Sequence, residues 1–258
     1  MSTVGKAATL LELFTMKEPE LGLSELARRA DLNKATTRRL LMVLLEHRLV
    51  EQAPKTRDYR LGAAVSRLAR IRETNFPFSR IARPVLQDLA AETGETVHLS
   101  EFSGGALFTV AVELSAQANR VNIEADQVLP LHGTASGIAF LAFTPPDFVR
   151  SYLGRRLTAF TSHTLTNQEA VAEQIRLAAA RGYSTSAQGF SEGVHSIASP
   201  ILGPGGQAMG ALSVAAPLSR VGEAVAAAQS EAVMRAAREI ESRVNGEPAS
   251  TARTRAAG

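Results

Sequence analysis

One stretch of 26 residues, GLSELARRADLNKATTRRLLMVLLEH from position 22 to 47, strongly restricts how the N-terminal part can fold. It holds two segments with helical apolar spacing, and only Asp31 and Leu32 stand between them. Ser24 is expected to cap the first helix, with Glu25 in its first turn and Leu26, Ala27 and Ala30 facing inward. Asn33 is expected to cap the second, which runs from Lys34 to about His47 and is apolar at Leu40, Leu41, Leu44 and Leu45. Such a short connection predicts a helix-turn-helix pair.

The flanks extend this unit. Ala7, Leu10, Leu11 and Phe14 share one face of a preceding helix, which Glu18 to Gly22 break. After the pair, Val50 opens a short strand, Lys55 to Asp58 form a polar turn, and Tyr59 to Leu61 return. Residues 63–75 read as a further helix, Phe76 and Pro77 interrupt it, and Ser79 to Thr93 resumes with Gly94 beyond its C-terminus.

From Glu95 the apolar period changes from helix to strand. TVHLSEF and LFTVAVE flank Ser103-Gly104-Gly105, a hairpin signal, and RVNIE at 120–124 is a shorter third candidate. TASGIAFLAF is helical, and Pro145-Pro146 opens a short helix to about Leu153. A capping-box pattern at Thr166 to Glu169 precedes a helix closed by Gly182. Tyr183 to Ser186, Ser196 to Leu202 and Gly210 to Ala215 are strand candidates, the last two paired around Gly203 to Gly206. An alanine-rich helix spans Val221 to Val244. Hairpins at both ends of this region argue for a five- or six-stranded, mainly antiparallel sheet rather than a doubly wound one. The expected fold class is α+β. The expected organisation is a helix-turn-helix unit with its hairpin at 1–62, a helical linker at 63–79, a body at 80–245 and a disordered tail at 246–258.

Charge separates along the same line. Residues 1–75 carry 14 Lys+Arg against 9 Asp+Glu, while the remainder carries 14 against 16. All four lysines (Lys6, Lys17, Lys34 and Lys55) lie in the first part. A basic end on a slightly acidic body suggests contact with a polyanion. In a helix-turn-helix the second helix enters the major groove of DNA, so its first turns need donors and its later turns need apolar anchors. Lys34, Ala35, Thr36, Thr37, Arg38 and Arg39 followed by leucines fit that demand. Arg can pair with guanine, Thr with base edges and Lys with phosphate. The following hairpin, with Lys55, Arg57 and Arg60, then reads as the wing of a winged helix.

The order LSELARRADLNKATTRRLLMVLLEHRLVEQ…YRLG resembles the IclR-type transcriptional regulators. So do GETVHLSEF, LPLHGTASGIAFLA, AAARGYSTS and EGVHSIASPILGPGGQAMGALSVAAP, and the likeness runs from about Val4 to Arg243. The resemblance implies a winged helix-turn-helix, a helical linker and a GAF-like α/β effector domain that binds a small molecule. It implies dimers or dimers of dimers on near-palindromic double-stranded operator DNA, and a repressor of a catabolic operon with an organic acid or aromatic effector. Matched motif by motif, it carries the effector role onto Thr134, Ala135, Ser136, Ser186, His195, Ser196, Ser213 and Ala215. The helix start at Ala135 and Ser136 offers free N–H groups suited to an anion. The family commonly has lysine where Ile138 stands and arginine where His195 stands, which implies a less charged, hydroxyl-rich pocket. Phe102, Phe108 and Phe190 are candidates to flank an aromatic ring, with core packing the expected role of the first two.

Other classes find little support. The chain has no cysteine, its five histidines are all more than thirty residues apart, and no metal or cofactor site is expected. In GTASG the serine is fourth rather than third, so it is no hydrolase elbow. GPGGQAMG matches neither a dinucleotide fingerprint nor a P-loop. No apolar run suggests a membrane span and no secretory signal is evident, so a cytoplasmic, non-enzymatic protein is expected. A constitutive or architectural dimeric DNA binder without an effector is the alternative reading.

Overall fold

The computed structural model describes residues 2–15, 17–75, 77–125 and 127–245. It divides the chain into two compact units, with the boundary between Pro77 and Phe78. The tail expected to be disordered, 246–258, lies outside the described residues.

The first unit contains α1 (Thr3–Glu12), α2 (Leu23–Arg29), α3 (Lys34–Glu46), β1 (Val50–Gln52), β2 (Tyr59–Leu61) and α4 (Ala63–Asn75). Leu10, Leu26, Leu40, Leu41, Leu44, Val50 and Tyr59 form its core. Asn33 caps α3 as expected, its side chain accepting from the Thr36 amide at 2.8 Å. Ser24 does not cap α2. The helix begins two residues earlier, with Gly22 at the N-cap and no side-chain cap bond. β1 and β2 pair antiparallel, Val50 opposite Leu61. Leu21 and Tyr59 exchange two backbone hydrogen bonds of 2.9 Å and stitch the α1–α2 connection onto the hairpin. Gly62 is required where the hairpin meets α3, because a Cβ there would sit 2.3 Å from the Arg48 carbonyl oxygen.

The second unit contains α5 (Phe78–Thr93), β3 (Thr96–Ser103), β4 (Ala106–Glu113), β5 (Val128–Leu129), α6 (Ala135–Leu141), α7 (Pro146–Leu153), α8 (Gln168–Arg181), β6 (Ser184–Ala187), β7 (Val194–Leu202), β8 (Ala208–Pro217) and α9 (Glu223–Val244). Six strands form one sheet in the order β5-β4-β3-β8-β7-β6, every pair antiparallel. This is the α+β, antiparallel architecture that the two hairpins predict.

Alternation in the strands decides what each face holds. Val97, Leu99, Ile197, Leu212 and Val214 face one side and pack against α5 and α9 through Val85, Leu86, Leu89, Val233 and Ile240. On the other face, Ala198 and Ala211 meet Ala135 and Ala139. Four methyl-sized side chains let α6 lie close to the sheet, and all seven α6 residues are buried. Beyond α6, Ile138, Phe140 and Leu141 pack with Leu107, Leu131, Val171 and Ile175.

Two expectations are corrected here. RVNIE is not a strand, and the edge strand is β5, paired with Leu107 and Phe108. The 120–124 backbone is held by side chains instead: Thr96 Oγ1 donates to the Val121 carbonyl at 2.8 Å, and Arg120 bonds Asn122 and the Ser115 carbonyl. The capping box before α8 is displaced by one residue. Asn167, not Thr166, is the N-cap and accepts from the Ala170 amide at 2.8 Å.

Candidate functional site

The first unit sorts its cations into two groups. Arg29 bonds Glu18 and Glu25, Arg28 bonds Glu25, and Arg60 bonds Glu51 at 2.8 Å and Glu20 at 3.1 Å. Hydrogen bonds from Arg28 and Arg29 push the Glu25 carboxyl down to about 2, so these charges are spent within the unit. Lys34, Arg38 and Arg39 on α3, and Lys55 and Arg57 at the hairpin tip, are exposed. Among the described residues these five form no salt bridge. A surface of unneutralised cations at the start of one helix and on an adjoining loop suits contact with phosphate and base edges.

Two of the nine candidate DNA residues depart from expectation. Thr37 is fully buried and its hydroxyl donates to the Asn33 carbonyl at 3.0 Å, so it cannot reach a base edge. It anchors the first turn of α3. Arg60 is held by two carboxylates and serves the hairpin rather than presenting a free guanidinium. Ala35 is exposed and Thr36 half-buried, both on the turn that carries Lys34. Arg57 adopts φ +61°, at the tight end of the hairpin turn, where its carbonyl accepts from Gln52 Nε2.

In the second unit a cavity of about 80 Å³ opens on the α6 face of the sheet. Thr134, Ala135 and Ser136 line it from α6, Ser186 from β6, Ser196 from β7 and Ala215 from β8. These six of the eight candidate effector residues are brought together by topology: β7 and β8 are neighbours with Ser196 opposite Ala215, and β6 adds Ser186 opposite Ser196. Thr134 caps α6, accepting from the Gly137 amide at 3.0 Å and donating to the Pro130 carbonyl at 2.9 Å. Its hydroxyl is therefore engaged. Gly137 permits this seat, since a Cβ would stand 2.3 Å from both Cα and O of Leu131.

His195 and Ser213 do not line the cavity. His195 lies between Val194 and Ser196, which do line it, so alternation sends its imidazole to the opposite face. It is half-buried there, Nδ1 has no hydrogen-bond partner among the described residues, and burial lowers its pKa. Ser213 is on the correct face but deeper under α6, and its hydroxyl donates to the Ile197 carbonyl at 3.1 Å. Ile138 belongs to the apolar cluster beyond α6 and is not a wall residue. Phe102 stacks on Phe140 with centroids 4.4 Å apart, a packing role, whereas Phe190 is a wall residue.

The wall also includes residues that motif matching did not supply. Val121, Asn122, Ile123 and Gln127 close one side, and Gly189 and Ser191, on either side of Phe190, close another. Thr161 and Thr164 brace the second loop by donating to the Gln188 and Gly189 carbonyls at 2.6 and 2.7 Å. His98 of β3 is the most informative addition. It is buried, Nε2 lies 3.3 Å from Ser136 Oγ, and Nδ1 has no partner among the described residues. Burial pushes its pKa down to about 4, so the ring is neutral near pH 7. No group of three or more His, Asp or Glu able to hold a metal occurs among the described residues. Among the described residues, no helix is long and apolar enough to cross a membrane.

Comparison with known proteins agrees with both units. Residues 3–54 match the IclR helix-turn-helix domain, and residues 74–242 match the family described as bacterial transcriptional regulator IclR C-terminal. The HTH-type transcriptional regulator BhcR of Paracoccus denitrificans is 30% identical over 236 residues, covering 91% of this chain and 84% of that protein. The crystal structure of an IclR transcriptional regulator from Silicibacter sp. TM1040 is 41% identical, with a TM-score of 0.87 over 96% of this chain and 98% of that one. An IclR homologue from Microbacterium hydrocarbonoxydans, solved in complex with 4-hydroxybenzoate, shares the fold at 22% identity, with a TM-score of 0.83 over 95% of this chain and all of that one. Its likeness speaks to the fold alone. With both family domains matched in order across most of its length, the chain belongs to the IclR family of DNA-binding transcriptional regulators, a family of regulators rather than enzymes.

Proposed function

We propose that this protein is a ligand-responsive regulator, a repressor of a catabolic operon, whose effector is a small organic acid or aromatic compound. The N-terminal half of α3 enters the major groove of operator DNA, with Lys34, Arg38 and Arg39 as its contacts. The hairpin tip, with Lys55 and Arg57, lies on the backbone beside it. The protein acts as a homodimer or a dimer of dimers, as two-fold operators require. The effector changes DNA affinity by binding one arrangement of the dimer better than another.

The observation that carries this reading is the cavity under α6, lined by Ser136, Ser186, Ser196 and Ala215. A purely architectural DNA binder has no need of such a space. Its size admits roughly five to eight waters at ~10–15 Å³ each, and so a single ring or a short acid.

The test is a thermal-shift screen of small acids and aromatics on the full chain, followed by gel shifts on DNA selected from a random pool. A compound that both raises the melting temperature and changes DNA affinity is the expected result. A chain that binds DNA while ignoring every compound would leave only the constitutive reading.

A further inference from the structure

We propose that the outward ridge of α3 reads thymine methyl groups, with Ala35 and Met42 as the residues that recognise them between Arg38 and Arg39. This rests on the reading of α3 as the groove helix above, and deepens it by assigning the base that its apolar positions select.

The first observation is where these residues fall on the helix. At about 100° per residue, Ala35 and Met42 lie within about 20° of one line along α3, and Arg38 and Arg39 stand about 50° to either side. The buried residues Thr37, Leu40, Leu41 and Leu44 occupy the opposite side. Ala35, Arg38, Arg39 and Met42 are exposed, Met42 to 58%. The line farthest from the core of the unit is therefore apolar from Ala35 to Met42. Cations that form no salt bridge among the described residues flank it.

The second observation is what the major groove offers to such a line. Base edges there present hydrogen-bond donors and acceptors, and their apolar feature is the thymine C5-methyl group. Alanine has no polar side-chain atom, and a thioether is only a weak acceptor. A methyl group is what these two side chains are able to select. Covering it with Met42 also takes out of water an apolar surface that the free protein leaves exposed. The arginines hold the ridge in the groove by pairing with phosphate or guanine on either side.

The third observation sets the extent. Ala35 and Met42 are roughly 10 Å apart along the helix axis, which matches about three base-pair steps of ~3.4 Å. Glu46 is exposed about one turn beyond Met42 on the same side, where its carboxylate is repelled by phosphate. Readout by this ridge ends at Met42. Each half-site should hold two thymines about three base pairs apart, on the same or opposite strands.

The experiment uses the full-length protein and duplex DNA that it selects from a random pool. Each thymine of the selected half-site is replaced in turn by deoxyuridine, which removes only the methyl, and affinity is read by fluorescence anisotropy. Replacement at two thymines about three base pairs apart should weaken binding about threefold to fivefold each, as expected for uncovering one methyl-sized group. At both positions 5-methylcytosine should bind more tightly than cytosine. Met42→Ala should abolish the deoxyuridine penalty at one thymine and Ala35→Gly at the other, with melting temperature and sedimentation unchanged. If Ala35→Gly fails to fold, Met42→Ala alone decides. Deoxyuridine tolerated at every position overturns the inference and leaves DNA binding by α3 standing. Penalties that persist in the variants overturn it by giving the methyls to other side chains. A Met42 variant that changes assembly without altering the penalties overturns it by assigning Met42 to contact with a second copy. If no sequence is enriched from the pool, sequence reading by α3 falls together with the inference.

Discussion

Arg220 and Glu95, 125 residues apart in sequence, form a two-pronged ion pair with Nε–Oε1 and Nη2–Oε2 both at 2.7 Å. The remaining guanidinium nitrogen, Nη1, donates to the Asn119 carbonyl at 2.7 Å. Next to Glu95, Thr96 Oγ1 donates to the Val121 carbonyl. One end of β3 is thereby tied to the loop whose residues 121–123 wall the cavity. The Glu95 side chain is 6% exposed and that of Arg220 27% exposed.

Removing the guanidinium strands a buried carboxylate, which costs more than the pair contributes when intact. Arg220→Met should therefore lose about 2–3 kcal/mol by urea denaturation. Hydrogen exchange should rise in the 119–123 backbone. The double variant Arg220→Met with Glu95→Gln should recover part of the loss. A single variant with unchanged stability would show that the pair is only a surface contact.

The corrected interface gives a sharper set of DNA variants. Arg38→Ala should reduce discrimination between operator and competitor by about 1–3 kcal/mol if it reads a guanine. Lys55→Ala should weaken binding to all sequences alike and flatten the salt slope by about 1. Thr37→Ala, by contrast, should lower the stability of the first unit with little change in sequence preference, because its hydroxyl serves Asn33. Gel shifts across a salt series separate the three. A Thr37 variant that folds normally and loses discrimination would restore that residue to the interface.

His98 makes a pH prediction with a definite sign. Its folded pKa is lowered from 6.5 to about 4, so between those values the unfolded chain binds more protons. Stability is then fully present above about pH 6.5 and falls as pH drops toward 4, with a slope approaching about 1.4 kcal/mol per pH unit from this group. His195 is also lowered by burial and adds in the same direction. The urea midpoint should fall accordingly, and His98→Leu should flatten the slope. An identical acid profile in the variant would assign the acid sensitivity to other groups.

Much of the architecture was legible because it is written locally. Asn33 before α3, Gly182 at φ +80° after α8 and the Ser103 to Gly105 turn each mark an element boundary by their own chemistry. The burial of Thr37 was legible too, since it stands three and four residues before Leu40 and Leu41 on the same helix face. Likewise, strand alternation places His195 on the opposite face from Ser196. The helix-turn-helix reading pointed to Thr37 and the family motif to His195 despite these patterns. The wall at Val121, Asn122, Ile123 and Gln127 was not legible. Thr96 holds the Val121 carbonyl and Arg220 the Asn119 carbonyl just before it, and no local periodicity records bonds made across 25 and 101 residues. His98 as a wall residue required knowing that Ser136 at the start of α6 reaches the β3 imidazole.

Gly137 tests whether the close seat of α6 shapes the cavity. The cap Thr134 and the first two helical residues, Ala135 and Ser136, are wall residues, and the next position lies against the backbone of Leu131. An added Cβ would meet Leu131 Cα and O at 2.3 Å, contacts that a backbone segment cannot relieve by rotating a side chain. Gly137→Ala must therefore push the start of α6 away from residues 130–132, as overpacking does elsewhere at a cost of about 1–3 kcal/mol. The loss should appear in the second unit, read as earlier proteolysis of 78–245 while 3–75 stays protected. Ligand binding should weaken beyond what the stability change explains, because Ser136 moves relative to His98. Gly205→Ala, at a hairpin position where an added Cβ meets nothing within 4 Å, is the control and should change neither. A Gly137 variant with native stability and native ligand affinity would show that α6 has room to shift and that its close seat does not define the cavity.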